Sequence, residues 1–305
     1  MPLNPMTLEL FPGFEQRIVD VGKGIRIAAT IGGSGPPLLL LHGHPQTRAL
    51  WHRVAPGLAE THTLVMADLR GYGDSSKPAG LPDHGNYAKR AMAQDQVSLM
   101  RILGFERFDI LAHDRGARVA HRLAMDHPDA VTRMILLDIA PTLAMYGKTT
   151  ETFARSYWHW FFLIQPAPLP ERLIEADPAA YVCDIMGRRS AGLAPFDPRA
   201  LAEYQRCIAL PGAAHGLCED YRAAAGIDLE HDRDDIDACR LLQTPLLVLW
   251  GEQGVVHRCF RPLDEWRRVA RRVEGEALSC GHYIAEENPE GLLAGVIPFL
   301  SRTFN

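Results

Sequence analysis

Short apolar runs recur along the chain and are separated by longer amphipathic stretches. Near-continuous apolar runs are typical of parallel strands that are covered on both faces of a sheet. Eight such runs predict strands at residues 17–21, 25–31, 37–42, 63–68, 108–113, 133–138, 245–251 and 276–282. Between them, residues 88–103 and 116–127 have helical spacing. This alternation predicts an α/β fold with a doubly wound, mostly parallel sheet.

The alternation stops after Asp138 and resumes at Pro245. From Pro141 to about Cys239 the sequence is aromatic and polar, has helical spacing and contains several prolines, with no strand pattern. A helical insertion between two late strands predicts a cap over the carboxyl edge of the sheet, where open α/β folds bind ligands. We therefore expect three segments, which are the first part of the core (1–140), a helical cap (141–240) and the last part of the core (241–305).

Composition narrows the class of protein. The chain has 305 residues, of which 47% are hydrophobic and 23% are charged, and its net charge is −5. The sequence has no block of basic residues, so a nucleic-acid partner is not expected. The longest apolar run, residues 38–41, is too short to span a membrane. The six cysteines contain no C-x-x-C pair, and residues 1–14 lack a signal-peptide pattern. A cytoplasmic protein with reduced thiols is expected.

The segment LAHDRGAR, residues 111–118, follows a predicted strand and opens a predicted helix. This is the pattern of a nucleophile elbow, a tight turn that holds its central side chain at the edge of the sheet, where serine hydrolases place serine. Here the central residue is Asp114. A carboxylate in that position can attack carbon directly and form an ester. Alternatively, Asp114 only caps the helix, since aspartate is a favoured N-cap residue.

Other strand ends supply residues that could complete such a site. The loop LHGHPQT at 41–47 predicts an oxyanion site in which the backbone N–H groups of His44 and Arg115 are the donors, unless the loop is a simple turn. Among 13 histidines, His282 follows the last predicted strand and is the expected general base. Asp138, at the tip of its strand, is preferred to Glu252 as the acid that orients it.

Arg115 and Arg118 are three residues apart and share one face of the predicted helix. The rest of that helix is apolar, so both guanidinium groups should be buried and should need an anionic partner. The partner could be a carboxylate of the protein or a substrate carboxylate held in a bidentate way. If it is a substrate, a small carboxylic acid with a leaving group on its α-carbon also places that carbon beside Asp114.

These residues make the chain similar to a known family. It resembles the fluoroacetate/haloacetate dehalogenases of the α/β-hydrolase superfamily over almost its whole length. The matching segments include HGHPQTRALWHRVAP (42–56), ADLRGYGDSSKP (67–78), LGFERFDILAHDRGAR (103–118), SYWHWFFLIQPAP (156–168) and EDYRAAAGIDLEHD (219–232). The resemblance implies an α/β-hydrolase fold with an inserted helical cap.

The resemblance also implies a role for each candidate residue. Asp114 displaces halide from the α-carbon, and water activated by His282 and Asp138 then hydrolyses the ester. Arg115 and Arg118 hold the substrate carboxylate. The departing halide is received by a set of cap residues, namely His159, Trp160 and Tyr221. The expected partner is a small halogenated carboxylic acid, a homodimer is common in such a family, and neither a metal nor an organic cofactor is expected.

Three positions depart from the family pattern. His44 stands where phenylalanine is more usual, Ala117 where a second glycine is usual, and Arg188 roughly where a pocket tryptophan is usual. These changes predict a more polar or altered pocket that favours chloro- or bromoacetate. An epoxide hydrolase, with the same nucleophile and base and two cap tyrosines, is the alternative. A non-catalytic carboxylate binder is disfavoured, because such a protein would not need His282.

Overall fold

A computed structural model describes residues 9–189 and 191–304. Most of residues 1–14, the segment that was checked for a signal-peptide pattern, lies outside the described residues. Within them, eight strands form one sheet in the order β1-β2-β4-β3-β5-β6-β7-β8. The strands are β1 (Glu15–Gly22), β2 (Ile25–Gly33), β3 (Pro37–Leu41), β4 (Thr63–Ala67), β5 (Phe108–His113), β6 (Val131–Leu137), β7 (Leu246–Gly251) and β8 (Val273–Leu278). Strand β2 is antiparallel to β1 and β4, and the other neighbouring pairs are parallel.

The central strands are the apolar runs from which the sheet was predicted. Residues 38–41 of β3 and all of β5 are buried. Strand β7 is also buried along its length. Strands with this pattern require cover on both faces, which helices supply in an α/β protein. The predicted fold class, a mostly parallel doubly wound sheet, is confirmed.

The last strand lies earlier than predicted. The sequence predicted a strand at 276–282, whereas β8 is Val273–Leu278 and residues 279–282 form a loop. Strand β8 is at the edge of the sheet and pairs only with β7, so its residues alternate between exposed and half-buried positions. An edge strand with this polar pattern lacks the continuous apolar run that marks the central strands.

Helices connect the strands. Before β6 they are α1 (Ala55–Ala59), α2 (Lys89–Ile102) and α3 (Asp114–Asp126), with 3₁₀ helices at Arg48–Arg53 and Gly85–Tyr87. Between β6 and β7 they are α4 (Thr142–Gly147), α5 (Glu151–Ser156), α6 (Trp158–Leu163), α7 (Leu169–Ala176), α8 (Pro178–Gly187), α9 (Pro198–Ile208), α10 (Ala213–Ala225) and α11 (Ile227–Asp237). After β7 they are α12 (Val255–Cys259), α13 (Pro262–Trp266), α14 (Ile284–Glu287) and α15 (Pro289–Leu300).

The helices between β6 and β7 are called the inserted helices below, and no described residue among them belongs to a strand. They contact the residues that follow the central strands; for example, the Tyr221 ring of α10 lies 5.3 Å from the His44 ring. The division of the chain at residues 140 and 240 stays a prediction. No helix within the described ranges has the length and apolar character needed to span a membrane.

Candidate active site

Four strand ends bring the predicted catalytic residues together. Asp114 follows β5, Asp138 follows β6, and His44 lies in the loop after β3. These three strands are parallel neighbours in the sheet, so their carboxyl ends meet at one edge. His282 reaches the same edge from the loop after β8. The site therefore forms where ligands bind in open α/β sheets.

The turn that carries Asp114 is tight. Asp114 has φ +46°, in the left-handed region that side chains other than glycine rarely adopt. A Cβ atom at Gly43 would lie 2.3 Å from the Asp114 Cβ, and one at Gly116 would lie 2.4 Å from the His42 carbonyl oxygen. Glycine at both positions lets the turn pack against the loop after β3. This is the geometry of the predicted elbow.

The Asp114 carboxylate is buried and contacts the predicted oxyanion donor. Its Oδ1 accepts a hydrogen bond of 2.9 Å from the His44 backbone N–H, rather than from the first turn of α3. Burial alone would raise the pKa of this carboxyl, but its interactions with His282, His113 and Arg115 outweigh that effect and hold the pKa well below its usual range. The carboxylate is therefore ionised at neutral pH. Its hydrogen bond with the His44 N–H is not the one that a helix N-cap residue makes.

His282 is oriented by Asp138. The imidazole Nδ1 lies 2.6 Å from Asp138 Oδ2, and the other carboxylate oxygen accepts the Gly251 backbone N–H at 3.0 Å. The His282 Nε2 is 3.9 Å from Asp114 Oδ2, which is too long for a hydrogen bond. This spacing suits a base that acts on a third molecule placed beside the two groups.

The alternative acid lies elsewhere. Glu252 is exposed, and its carboxylate accepts a hydrogen bond of 2.8 Å from the Ser279 hydroxyl. The geometry thus pairs His282 with Asp138, as the sequence predicted in preferring Asp138 to Glu252. Asp138 and His282 can meet because Asp138 follows β6 and His282 follows β8, and only β7 lies between these two strands in the sheet.

Arg115 has a protein partner that the sequence analysis left open. Its Nε and one Nη donate to the two Asp220 carboxylate oxygens at 2.7 Å and 3.0 Å. Asp220 is fully buried and also accepts from Lys89 and from the Tyr72 hydroxyl. The remaining Nη1 of Arg115 is buried and has no hydrogen-bond partner among the described residues. The Nε and Nη2 edge of the guanidinium is thereby fixed, and Nη1 can still donate a hydrogen bond to a ligand.

Arg118 is buried without an acidic partner. Its Nη1 donates to the Thr142 hydroxyl at 2.8 Å, and its Nη2 lies 3.1 Å from the Met145 sulfur. Its Nε is buried and has no hydrogen-bond partner within the described part of the chain. Burial and the charge of Arg115 lower the pKa of Arg118. Asp114 favours the charged form of Arg118 from beyond ion-pair distance, but no described carboxylate pairs with it directly, so a bound anion would stabilise this cation.

The predicted halide residues line up beside the two arginines. The Arg115 guanidinium carbon lies 4.0 Å from the Tyr221 ring centroid, and that of Arg118 lies 4.9 Å from the Trp160 ring centroid. The Trp160 indole N–H and the Tyr221 hydroxyl are buried and lack hydrogen-bond partners among the described atoms. The His159 ring stacks on the His44 ring at 5.6 Å. The Trp160 N–H and the Tyr221 hydroxyl are thus open donors next to the two arginines.

Burial keeps the two stacked histidines neutral. It lowers the pKa of His44 to about 3 and that of His159 well below its ordinary value. The His44 Nε2 lies 3.1 Å from the Tyr181 hydroxyl, so the ring is held by the inserted helices while its backbone N–H contacts Asp114. His44 therefore contributes a polar but uncharged ring to the site.

Arg188 does not enter the site as the sequence analysis suggested. It follows α8 directly, its side chain is 71% exposed, and it lies 3.5 Å from Asp184. The next residue, Arg189, turns inward instead, and its guanidinium carbon lies 4.4 Å from the Tyr157 ring centroid. Successive residues at a helix end point in different directions, so a sequence alignment that is off by one residue selects the wrong side chain.

Other functional neighbours were not predicted. Asp220 is adjacent in sequence to the predicted Tyr221. It could have been predicted from the sequence, because a buried Arg115 needs an anionic partner, and Asp220 is that partner. Tyr181 gave no such signal. Among the described residues, no group of three or more histidine, cysteine, aspartate or glutamate side chains could hold a metal ion.

Comparisons with known proteins identify the family of the chain. A family model described as the alpha/beta hydrolase fold matches residues 36–289. The chain is 48% identical to a fluoroacetate dehalogenase from Burkholderia sp, covering 96% of this chain and 95% of that protein. It is 33% identical to a soluble epoxide hydrolase from Corynebacterium sp. (strain C12), covering 92% and 95%.

Solved structures agree as well. A crystal structure from Nostoc sp PCC 7120, of a protein assigned to the α/β hydrolases, has a TM-score of 0.91 and 52% identity, covering 96% of this chain and all of that one. The family match, residues 36–289, spans most of the chain. The chain belongs to the α/β hydrolase family.

Proposed function

We propose that this hydrolase removes halide from short 2-haloacids such as chloroacetate and fluoroacetate. The observation that carries the proposal is the pair of buried guanidinium groups beside Asp114, of which Arg118 has no acidic partner among the described residues. A substrate carboxylate supplies the missing anion and positions the α-carbon next to the nucleophile. The 48% identity to a fluoroacetate dehalogenase supports the same substrate class.

In the first step, an Asp114 oxygen attacks the α-carbon as the carbon–halogen bond breaks. The halide leaves with the bonding electron pair, and an ester forms between Asp114 and the acid. The buried N–H of Trp160 and O–H of Tyr221, with the neutral His159 ring nearby, can donate hydrogen bonds to the departing halide. Fluoride, a poor leaving group, depends most on such donors.

In the second step, water enters the space between His282 and Asp114. His282 takes a proton from that water, and Asp138 stabilises the resulting imidazolium. The hydroxide attacks the carboxyl carbon of the ester, and negative charge develops on the Asp114 oxygen that faces the His44 N–H. The Arg115 N–H, at the amino end of α3, is the second proposed donor. The products are a 2-hydroxyacid and free Asp114.

The inserted helices form the cap of this proposed enzyme, since they supply Trp160, Tyr221 and Tyr181. A cytoplasmic location and a homodimer belong to the proposal as well. The six cysteines are all free, which supports a reducing compartment.

An epoxide hydrolase is the second candidate, supported by 33% identity to the Corynebacterium enzyme. It would use the same nucleophile, base and acid, with cap tyrosines that protonate the ring oxygen. The hydroxyls of Tyr221 and Tyr157 are buried and unpartnered among the described atoms and could serve. A neutral epoxide, however, leaves Arg118 without an anion. This electrostatic difference and the lower identity favour the haloacid.

The two candidates are separated by a direct substrate comparison. We expect chloride release from chloroacetate and no diol from styrene oxide, because only the acid compensates Arg118. Arg118→Gln should reduce kcat/KM for chloroacetate by about tenfold to a hundredfold, the range for a hydrogen bond to a charged group.

The control is Arg172→Gln, which changes an exposed arginine of α7 and should leave chloride release as it is. Diol formation without chloride release would overturn the haloacid proposal in favour of the epoxide hydrolase.

A further inference from the structure

A cavity of about 310 Å³ lies between the inserted helices and the loop after β7, and catalytic His282 is part of its wall. Arginines dominate the rest of the lining, namely Arg155, Arg188, Arg189 and Arg258. The described residues around it include no aspartate or glutamate. A concave surface with this charge attracts anions and favours their residence next to the catalytic base.

Arg189 differs from the other arginines of this cavity. Arg155 and Arg188 are exposed and lie 2.7 Å from Glu151 and 3.5 Å from Asp184. Arg189 is half-buried and contacts the Tyr283 phenol, its Nη1 atom is buried without a hydrogen-bond partner, and no carboxylate lies within ion-pair distance in the described ranges. A guanidinium stays charged in a protein, so an unpaired buried one is costly unless a ligand completes it.

The position of Arg189 relates it to the nucleophile. Burial alone would lower the pKa of Arg189, and the charge on Asp114 is among the interactions that act against this. Its guanidinium lies over the Tyr157 ring. The Tyr157 ring in turn stacks on the Trp160 ring at a centroid distance of 5.9 Å, and Arg118 contacts the Trp160 ring. Arg118 does not line the arginine cavity. Arg189 and His282 line the same cavity, and His282 Nε2 is 3.9 Å from Asp114 Oδ2, so the cavity lies next to the nucleophile on the side of the base.

We propose that Arg189 forms a second carboxylate subsite, so that the enzyme acts on 2-halo dicarboxylic acids of about four carbons. The carboxylate next to the halogen is held by Arg115 and Arg118, and the distal carboxylate is held by Arg189. This inference rests on the proposed dehalogenase function and extends its substrate class.

The chemistry is that of the proposed function. An Asp114 oxygen bonds to the halogen-bearing carbon, and halide leaves with the electron pair. Water then hydrolyses the ester, His282 passes the released proton to solvent, and the product is a 2-hydroxy dicarboxylate. The cavity next to His282 has room for the part of the acid that carries the second carboxylate.

The test compares three acids by chloride release, which are 2-chlorosuccinate, 2-chlorobutanoate and chloroacetate. The first two have the same carbon chain and differ in the distal carboxylate. We expect wild-type kcat/KM to be higher for chlorosuccinate than for chlorobutanoate. Arg189→Gln should lower that ratio by about tenfold to a hundredfold, and Arg189→Lys should restore part of it.

The control is Arg172→Gln, which removes an exposed charge of α7 that does not line the cavity and should keep the wild-type ratio. Calorimetry with succinate and butanoate gives a readout independent of turnover, and we expect Arg189→Gln to weaken only succinate binding. An unchanged ratio in Arg189→Gln, or chloroacetate turnover without chlorosuccinate turnover in the wild type, overturns the subsite. If none of the three acids loses chloride, the proposed function itself fails, and the subsite fails with it.

Discussion

Asparagine in place of Asp114 is expected to lower kcat for chloroacetate by about 10⁴-fold or more, as loss of a covalent nucleophile does. The amide is neutral and cannot displace halide from carbon. Its Oδ1 can still accept the His44 N–H, so the elbow keeps its hydrogen bond at this position. The measurement is chloride release over hours, together with a thermal melt of each variant.

Two comparisons make this result specific. Asp114→Ala should be equally inactive, and Asp129→Asn, which changes an exposed carboxylate after α3, should retain wild-type chloride release. Substantial chloride release by folded Asp114→Ala would mean that water or another side chain attacks the substrate.

Asparagine in place of Asp138 is expected to slow steady-state turnover by about 10³-fold to 10⁴-fold. Asp138 holds the His282 imidazole at 2.6 Å and stabilises the positive charge that develops when Nε2 takes a proton from water. The first step needs no such proton transfer. The variant should therefore release about one chloride for each active site in a rapid first phase and then stall at the ester.

The matched control is Glu252→Ala, which removes the other carboxylate that was considered as the acid that orients His282. Glu252 is exposed and bonded to Ser279, so turnover should change by no more than about twofold, as for other surface substitutions. A stalled Glu252→Ala with an active Asp138→Asn would reverse the assignment of the acid.

The fold was largely predictable because most strands are buried in the centre of a sheet. Runs such as residues 38–41 and β5 have no polar face, and that pattern leaves few alternatives to a covered parallel strand. Strand β8 was placed too late because an edge strand is not required to be apolar. The order of the strands in the sheet was not predicted, because an apolar run does not specify which strands lie next to it.

The positions of the candidate site residues were predictable where they follow from the ends of strands, and their roles stay predictions. Asp114, Asp138 and His282 each come after a strand, so neighbouring strands bring them together. The pairing of Arg115 with Asp220 joins residues 105 positions apart, and no local pattern specifies it. The inward turn of Arg189 instead of Arg188 depends on how α8 ends, which apolar spacing does not determine.

In the proposed mechanism the Asp114 carboxylate becomes covalently bound to the acid. Asparagine in place of His282 removes the base for the second step and leaves the first step intact, so the ester should accumulate. Intact mass after incubation with chloroacetate, followed by peptide mapping, measures this directly. His127→Asn, at the carboxyl end of α3, is the control and should show no adduct.

We expect His282→Asn to gain the mass of one –CH₂COO⁻ group for each chain, on the peptide that contains Asp114, with one chloride released. Adduct formation on a different residue, or continued chloride release by the folded variant with no adduct on Asp114, would contradict the account.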